Sequence, residues 1–167
     1  MKKIILVVLF IFVPLSTFAK GLAGYSNTTW GMSPEQVVTV EKGDAQIIEP
    51  KKYDSGLGKV QIQNLEIEKS DYTVTFIFDS ENKLIETLIT SNEKSSSRLI
   101  NLQFSSLNKL LNQKYGKPQF NDEKTSIWKT NSMTIELSKI SIPSISFAQV
   151  SVNYYPNSKI KSDTSKL

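Results

Sequence analysis

The chain has 167 residues with 20 basic and 16 acidic side chains, and it contains no histidine and no cysteine. Without these residues it lacks the side chains of Ser-His-Asp and Cys-His nucleophilic sites and of the usual zinc sites, so those classes are excluded. Arg98 is the single arginine. Because nucleic-acid sites favour arginine forks on phosphates and base edges, nucleic acid is not an expected partner.

The first nineteen residues have the pattern of a secretory signal peptide. Lys2 and Lys3 form a positive start, residues 4–13 are apolar, and Ala19 supplies a small residue before the predicted cleavage point. The apolar run is shorter than the roughly 20 residues of a membrane-spanning helix. We therefore expect residues 1–19 to be removed and the mature chain to lie in the periplasm, without a transmembrane segment. Since no cysteine is present, no lipid anchor is expected.

The stretch TTWGMSPEQVVTV has the signals of a helix entrance. Ser33 is the expected N-cap, Pro34 is the expected first helical residue, and Gln36 is placed to complete a capping box with Ser33. Gly31 permits a close approach of the chain that turns Trp30 into the core. The residues given structural roles here are Trp30, Gly31, Ser33 and Gln36, in a helix expected from Pro34 to about Lys42.

Three strands are predicted after this helix. Apolar and polar residues alternate most clearly in residues 71–79. In the strand before it, Leu65 is out of phase with Val60 and Ile62, which predicts a β-bulge near Asn64. The predicted strands are residues 57–69, 71–79 and 84–91.

The second half repeats this order. Apolar residues at helical spacing predict a helix over residues 98–115, which Gly116 and Pro118 end. Trp128 lies in the first strand after it and is expected in the core. The predicted strands of this half are residues 125–130, 132–140 and 147–155.

These elements predict one α+β domain over residues 20–156, made of two αβββ halves at about 28–91 and 96–156. The expected architecture is a duplicated αβββ unit, with one antiparallel sheet and two helices packed on one of its faces. Residues 157–167 are polar and are expected to form a disordered tail. The other sheet face is expected to be open to a partner. Its candidate contact residues are Thr73, Thr75, Glu136 and Tyr155.

Three features resemble a widespread group of small periplasmic proteins of Gram-negative bacteria. They are a W-G-[MT]-[ST]-x-x-[EQ]-V helix entrance at residues 30–37, a helix that ends in Y-G-K-P at residues 115–118, and Trp128 in a second meander. The helix-then-meander repeat is also similar to the β-lactamase-inhibitor protein and to outer-membrane assembly lipoproteins of the BamE type. Those proteins bind other proteins and are not enzymes. Two departures, the missing anchor cysteine and only three expected strands per half, mean that their functional residues are not carried over.

The expected function is therefore that of a non-enzymatic exported protein, without a cofactor or metal, that binds another periplasmic or envelope protein through its open sheet face or a strand edge. A narrower alternative is an inhibitor or immunity protein that neutralises a toxin or an enzyme. Two weaker alternatives are a carboxylate-dependent hydrolase and a small-ligand carrier. Their candidate residues are Glu66, Glu68 and Asp71 for the hydrolase, and Phe76, Phe104 and Trp128 for the carrier cavity.

Overall fold

The computed structural model describes residues 21–94 and 96–159. The signal peptide expected at residues 1–19 lies outside the described residues, and so do residues 160–167. The first half contains α1 (Pro34–Val40), β1 (Gln46–Lys52), β2 (Leu57–Ile67), β3 (Ser70–Phe78) and β4 (Leu84–Ser91). The second half contains α2 (Ser97–Tyr115), β5 (Phe120–Asn121), β6 (Thr125–Lys129), β7 (Met133–Ile142) and β8 (Phe147–Pro156). Short 3-10 turns occupy Pro143–Ile145 and Asn157–Lys159.

All eight strands belong to one antiparallel sheet in the order β1-β2-β3-β4-β8-β7-β6-β5. The last strand of each half, β4 or β8, lies at the centre, so the two four-strand meanders extend outward from this pair. The predicted α+β class with one antiparallel sheet and two helices is confirmed. The expected three strands per half is wrong, because β1 and β5 precede the predicted strands in the two halves.

The missed strand β1 forms one edge of the sheet. Six of its seven residues are exposed, so it lacks the alternation of buried and exposed positions on which strand prediction depends. Pro50 lies where the register with β2 shifts between Ile47 and Lys51. Proline is tolerated in a sheet at such edge and bulge positions, because it has no N–H to donate.

The helix entrance has the predicted capping box. The Gln36 N–H donates to the Ser33 Oγ at 3.4 Å, and the Ser33 N–H donates to the Gln36 Oε1 at 2.9 Å. Gly31 has a φ of 87°, and its N–H donates to the Leu84 carbonyl at 2.9 Å. This bond ties the start of α1 to the start of β4. The helix ends at Val40, earlier than expected.

Both helices pack on the same face of the sheet. The row of register partners Val60, Phe76, Thr87, Tyr154, Ile135 and Trp128 crosses β2, β3, β4, β8, β7 and β6 on that face. Val37 of α1 and Leu107 and Leu111 of α2 belong to the same buried cluster. Apolar side chains from both halves therefore form one core.

The two tryptophans differ in burial. Trp128 is 1% exposed, and its indole N–H donates to the Gly116 carbonyl at 2.9 Å. Gly116, with a φ of 80°, also ends α2, and Pro118 follows it, so these predicted roles agree with the structure. Trp30 is half-buried against the core, and among the described residues its Nε1 has no hydrogen-bond partner. Trp30 therefore covers the core rather than filling it.

Two further expectations concern the backbone. The predicted β-bulge is confirmed, since the register of β2 with β3 shifts between Ile62 and Leu65 and Asn64 has a φ of 54°. The predicted start of a disordered tail at Asn157 differs from the structure. The Asn157 side chain accepts from the Thr134 hydroxyl at 2.9 Å and donates to the Thr130 carbonyl at 2.8 Å. Asn157 is therefore anchored to β7 and the turn before it.

Candidate functional site

The face of the sheet turned away from the helices is called the outer face, and it is mostly polar. Register partners in antiparallel strands point to the same side of a sheet. One such row across β3, β4, β8, β7 and β6 consists of hydroxyl side chains: Thr73, Thr90, Ser151, Ser138 and Thr125. All five are half-buried. No helix of the described chain packs on this row, so its hydroxyls face the solvent side of the sheet.

A polar groove of about 370 Å³ lies on the outer face over β2, β3 and β4. Lys51 and Tyr53, at the end of β1, stand on one side of this outer-face groove, and Asn92 and Lys94, after β4, stand on the other. The remaining lining residues are Gln61, Gln63, Asn64, Thr73, Thr75, Thr90 and Ser91. Among the residues that the structure describes, no carboxylate lines the groove, so its two lysines give it a positive charge.

The floor of the groove is held by side-chain hydrogen bonds. The Gln61 amide donates to the Thr75 hydroxyl at 3.0 Å. The Thr73 hydroxyl donates to the Asn92 Oδ1 at 2.8 Å, and the Asn92 amide donates to the Asn64 Oδ1 at 3.3 Å. The bulge that the sequence predicted at Asn64 thus brings the Asn64 side-chain amide into this series of hydrogen bonds. These bonds fix the side chains before any ligand arrives, which lowers the entropy lost on binding.

Tyr53 packs over a glycine of β2. A Cβ at Gly58 would lie 2.7 Å from the Tyr53 Cε2 and 2.7 Å from the Thr75 Cγ2. The missing side chain therefore leaves room for the Tyr53 ring, which lines the groove.

This packing gives a testable expectation. We expect Gly58→Ala to lower the free energy of unfolding by about 1–3 kcal/mol through overpacking. In a Tyr53→Ala background the same change should cost less, because one of its two clashes is gone. Chemical denaturation of the four proteins in this cycle measures the difference. An equal cost in both backgrounds would show that Tyr53 does not lie over Gly58.

Glu136 and Tyr155 form a hydrogen-bonded pair further along the outer face. The Tyr155 hydroxyl donates to the Glu136 Oε2 at 3.5 Å. Burial raises the pKa of Tyr155, and the carboxylates of Glu136 and Glu86 raise it further, so the hydroxyl stays protonated and remains a donor. Asn153 lies beside Glu136 in register, and among the described residues its Oδ1 is buried without a partner. Because the Asn153 Oδ1 is buried, the acceptor that this part of the face offers to a partner is the Glu136 carboxylate.

The four residues predicted for partner contact all lie on the outer face. Thr73 and Thr75 are in the groove. Glu136 on β7 and Tyr155 on β8 contact one another, three and two strands away from β3. Thr75 is only 3% exposed and its hydroxyl is already bonded by Gln61. Thr75 is therefore part of the groove floor and offers little contact surface.

Sequence reasoning missed the residues on the walls of the groove. Lys51 and Tyr53 depend on the position of β1, which the sequence does not predict, and Asn92 and Lys94 lie outside the predicted strands and helices. The signal that was available is the proline at an edge strand followed by Gly56 and Gly58, which is typical of a bulged hairpin.

The residues proposed for a hydrolase lie at a strand turn, and those proposed for a ligand carrier lie in the core. Glu66, Glu68 and Asp71 are exposed at the β2–β3 turn, where Glu66 and Asp71 are register partners. The expected strand over 57–69 ends at Ile67, so Glu68 belongs to the turn and has a φ of 49°. The side chains proposed for a carrier cavity, Phe76, Phe104 and Trp128, are packed in the core.

The fold and the outer face define an α+β protein with one helix-covered and one uncovered sheet face. The chain belongs to the TP0088 domain family, whose model matches residues 23–162. No curated protein and no solved structure has a significant match to the chain. Within the described residues, neither helix combines the length and apolar character needed to cross a bilayer.

Proposed function

We propose that this chain is an exported, non-enzymatic protein of the periplasm that binds another envelope protein through its outer face. The observation that carries the proposal is the outer-face groove, a preformed polar concavity on a sheet face that no described helix covers. Export is supported by the signal-peptide pattern of residues 1–19. A non-enzymatic role is supported by the sequence, which has no histidine or cysteine.

The strand edges are less suitable for binding than the face. Edge β1 carries Pro50, Lys51 and Lys52, and proline and lysine on an edge hinder the addition of another strand. Edge β5 has two residues, too few to template a strand. We therefore assign partner binding to the face.

The charges of the face indicate the chemistry of the partner. The groove presents Lys51 and Lys94 with amides and hydroxyls, which fits a protein segment that carries carboxylates. The Glu136 and Tyr155 region presents acceptors, which fits lysine, arginine or amide donors on the same partner. The partner surface would then have an acidic part beside a donor-rich part.

Site-specific photo-crosslinking in living cells tests this proposal. Gln63 is exposed in the groove, and Gln113 is exposed on α2 on the helix side of the molecule. With a photoreactive residue at Gln63 we expect a discrete protein adduct, and with the same residue at Gln113 we expect none. Lys51→Glu should diminish the Gln63 adduct, while the matched change Lys109→Glu on α2 should not. Equal adducts at both glutamines, or none with folded protein present, would contradict the proposal.

An inhibitor or immunity protein is the narrower form of the same proposal. The acceptor and donor groups of the face suit either a stable envelope partner or a toxin. Identification of the Gln63 adduct by mass spectrometry separates the two, since an immunity protein would be joined to an exported toxin or enzyme.

We also propose that the two halves arose by duplication. The support is that each half has a helix followed by a four-strand meander, and that the strand order reads outward in the same way from β4 and from β8. The repeated unit is then αββββ rather than the αβββ unit expected from the sequence.

A further inference from the structure

The hairpin formed by β7 and β8 extends beyond its neighbours in the sheet. Strand β6 pairs with β7 as far as Ser138, and β4 pairs with β8 as far as Ser151. The two strands of the hairpin continue for four more register pairs, from Lys139 with Val150 to Ile142 with Phe147. The backbone of Lys124 still bonds to Lys139 and that of Lys94 still bonds to Ala148, so the ribbon is free of neighbours beyond Lys139 on one edge and beyond Ala148 on the other. The hairpin tip, defined here as residues 140–147, lies at the end of that ribbon.

The tip is apolar, exposed and uncharged. Ile140, Ile142 and Ile145 are 50%, 37% and 68% exposed, and Phe147 lies beside Ile142 in register. No charged residue occurs from 140 to 149. Large exposed apolar groups in one cluster mark an interaction site rather than ordinary surface. The uncharged run means that the tip can enter an apolar medium without desolvating an ion.

Lysines surround the stem of the hairpin. The backbone N–H of Lys139 donates to the Lys124 carbonyl at 2.9 Å on one edge, and the N–H of Ala148 donates to the Lys94 carbonyl at 2.6 Å on the other. Lys124 and Lys139 also line the cavity at the base of the tip, together with Glu123. The stem thus has a lysine residue on each edge. The Nζ of Lys139, on the ribbon itself, donates to the Asn101 Oδ1 at 2.6 Å and lies over the Phe104 ring, so it is directed at α2.

The chain ends leave from the opposite pole of the molecule. The Ser132 hydroxyl donates to the Ala23 carbonyl, and Asn157 bonds to the carbonyl of Thr130. Residues 130–132 precede β7, whereas the tip follows it. Neither end of the described chain therefore obstructs the tip.

We propose that the hairpin tip inserts into the interfacial region of an anionic phospholipid bilayer. An apolar cluster that enters the headgroup and acyl boundary, with cations at the level of the lipid phosphates, is the arrangement by which interfacial segments bind membranes. The uncharged tip, with Lys94 and Lys124 at the two edges of its stem, reproduces it.

Acidic residues set the orientation of the bound protein. Glu66, Glu68 and Asp71 lie at the same end of the sheet as the tip, on β2, β3 and their turn. Strand β3 is two strand spacings from β8, about 10 Å. Repulsion between these carboxylates and anionic lipid keeps the β2–β3 turn away from the bilayer. The molecule then contacts the bilayer by the hairpin alone, and the outer face stays accessible.

Vesicle flotation with the exported, processed protein tests the inference. We expect binding to vesicles of phosphatidylcholine with phosphatidylglycerol, and much weaker binding to phosphatidylcholine alone. Ile142→Ser with Ile145→Ser should weaken partitioning by about tenfold or more. The matched change Ile47→Ser, at a 60% exposed isoleucine on β1, should have no effect. Lys124→Glu should reduce binding to the anionic vesicles.

The depth of insertion supplies a second readout. With Ile145→Trp, brominated lipids should quench the added tryptophan fluorescence, whereas Trp128 stays buried. Absence of flotation by the native protein, or equal loss in the Ile47→Ser control, would overturn the inference. Lipid-free dimers that the tip variant abolishes would overturn it in favour of a second copy of the chain. None of these outcomes alters the Gln63 adduct, which tests the outer face separately.

Discussion

Replacing Trp128 by alanine is expected to lower the free energy of unfolding by about 3–5 kcal/mol, the cost of truncating a large core side chain. Trp128 is 1% exposed and lies in the row of core residues that crosses the sheet. Its indole N–H also satisfies the Gly116 carbonyl at the end of α2. Removal therefore leaves a cavity between the helix end and β6 and an unpaired carbonyl beside it.

Two matched variants separate these contributions. Trp128→Phe keeps much of the volume and loses the hydrogen bond, so it should cost less than the alanine change. Trp30→Ala should also cost less, because Trp30 is half-buried and its Nε1 has no partner among the described residues. Urea denaturation monitored by circular dichroism measures all three. A larger cost for Trp30→Ala than for Trp128→Ala would contradict the assignment of Trp128 to the centre of the core.

The sequence predicted the central strands because burial of one face of each strand sets the alternation of apolar and polar residues along it. In β7, Met133, Ile135 and Leu137 are buried while Glu136 is half-buried on the other face. The capping box of α1 depends on residues 33–36 alone and was equally predictable. By contrast, β1 is exposed on both sides, so hydrophobic alternation contains no signal for it. Edge strands are held by backbone pairing, which sequence patterns do not report.

The candidate functional site was likewise predictable only in part. Tyr155 is predicted on the outer face, and it lies there in the structure, whereas its neighbour Tyr154 is 4% exposed and belongs to the core. The groove needed the relative positions of β1, β2 and the segment after β4, which are remote in sequence. The hairpin tip was not identified from the sequence for another reason. Ile140 and Ile142 are at even positions, out of phase with the buried Met133, Ile135 and Leu137, so they lie on the outer side of β7 and are exposed where the neighbouring strands end.

Buried tyrosines between the helices and the sheet should make the fold sensitive to alkali. Tyr25 and Tyr154 are in contact, with ring centroids 5.1 Å apart. Burial raises the pKa of Tyr25 to about 12, with smaller contributions from Glu41 and Tyr115. Burial, Tyr115 and Tyr25 also raise the pKa of Tyr154, and burial raises the pKa of Tyr72 to about 12.

The sign of the effect follows from proton linkage. Below pH 10 these tyrosines are protonated in the folded and in the unfolded chain, so they contribute no pH dependence. Above about pH 10 the unfolded chain loses the protons that the folded chain retains, and stability falls. Each such tyrosine lowers the free energy of unfolding by up to about 1.4 kcal/mol per pH unit until its folded pKa is reached. The loss should therefore be concentrated between pH 10 and 12.

Denaturation curves collected at intervals from pH 8 to pH 12, with tyrosinate absorbance recorded in parallel, measure this effect. Tyr25→Phe with Tyr154→Phe removes two of the ionising groups and should flatten the fall in stability above pH 10. The variant keeps both aromatic rings, so its stability near neutral pH should change much less than its alkaline slope. If the slope is the same in the variant and the native protein, the ionising groups lie elsewhere and the two hydroxyls are not buried. A flattened slope would show that these two hydroxyls are buried in the folded protein in solution.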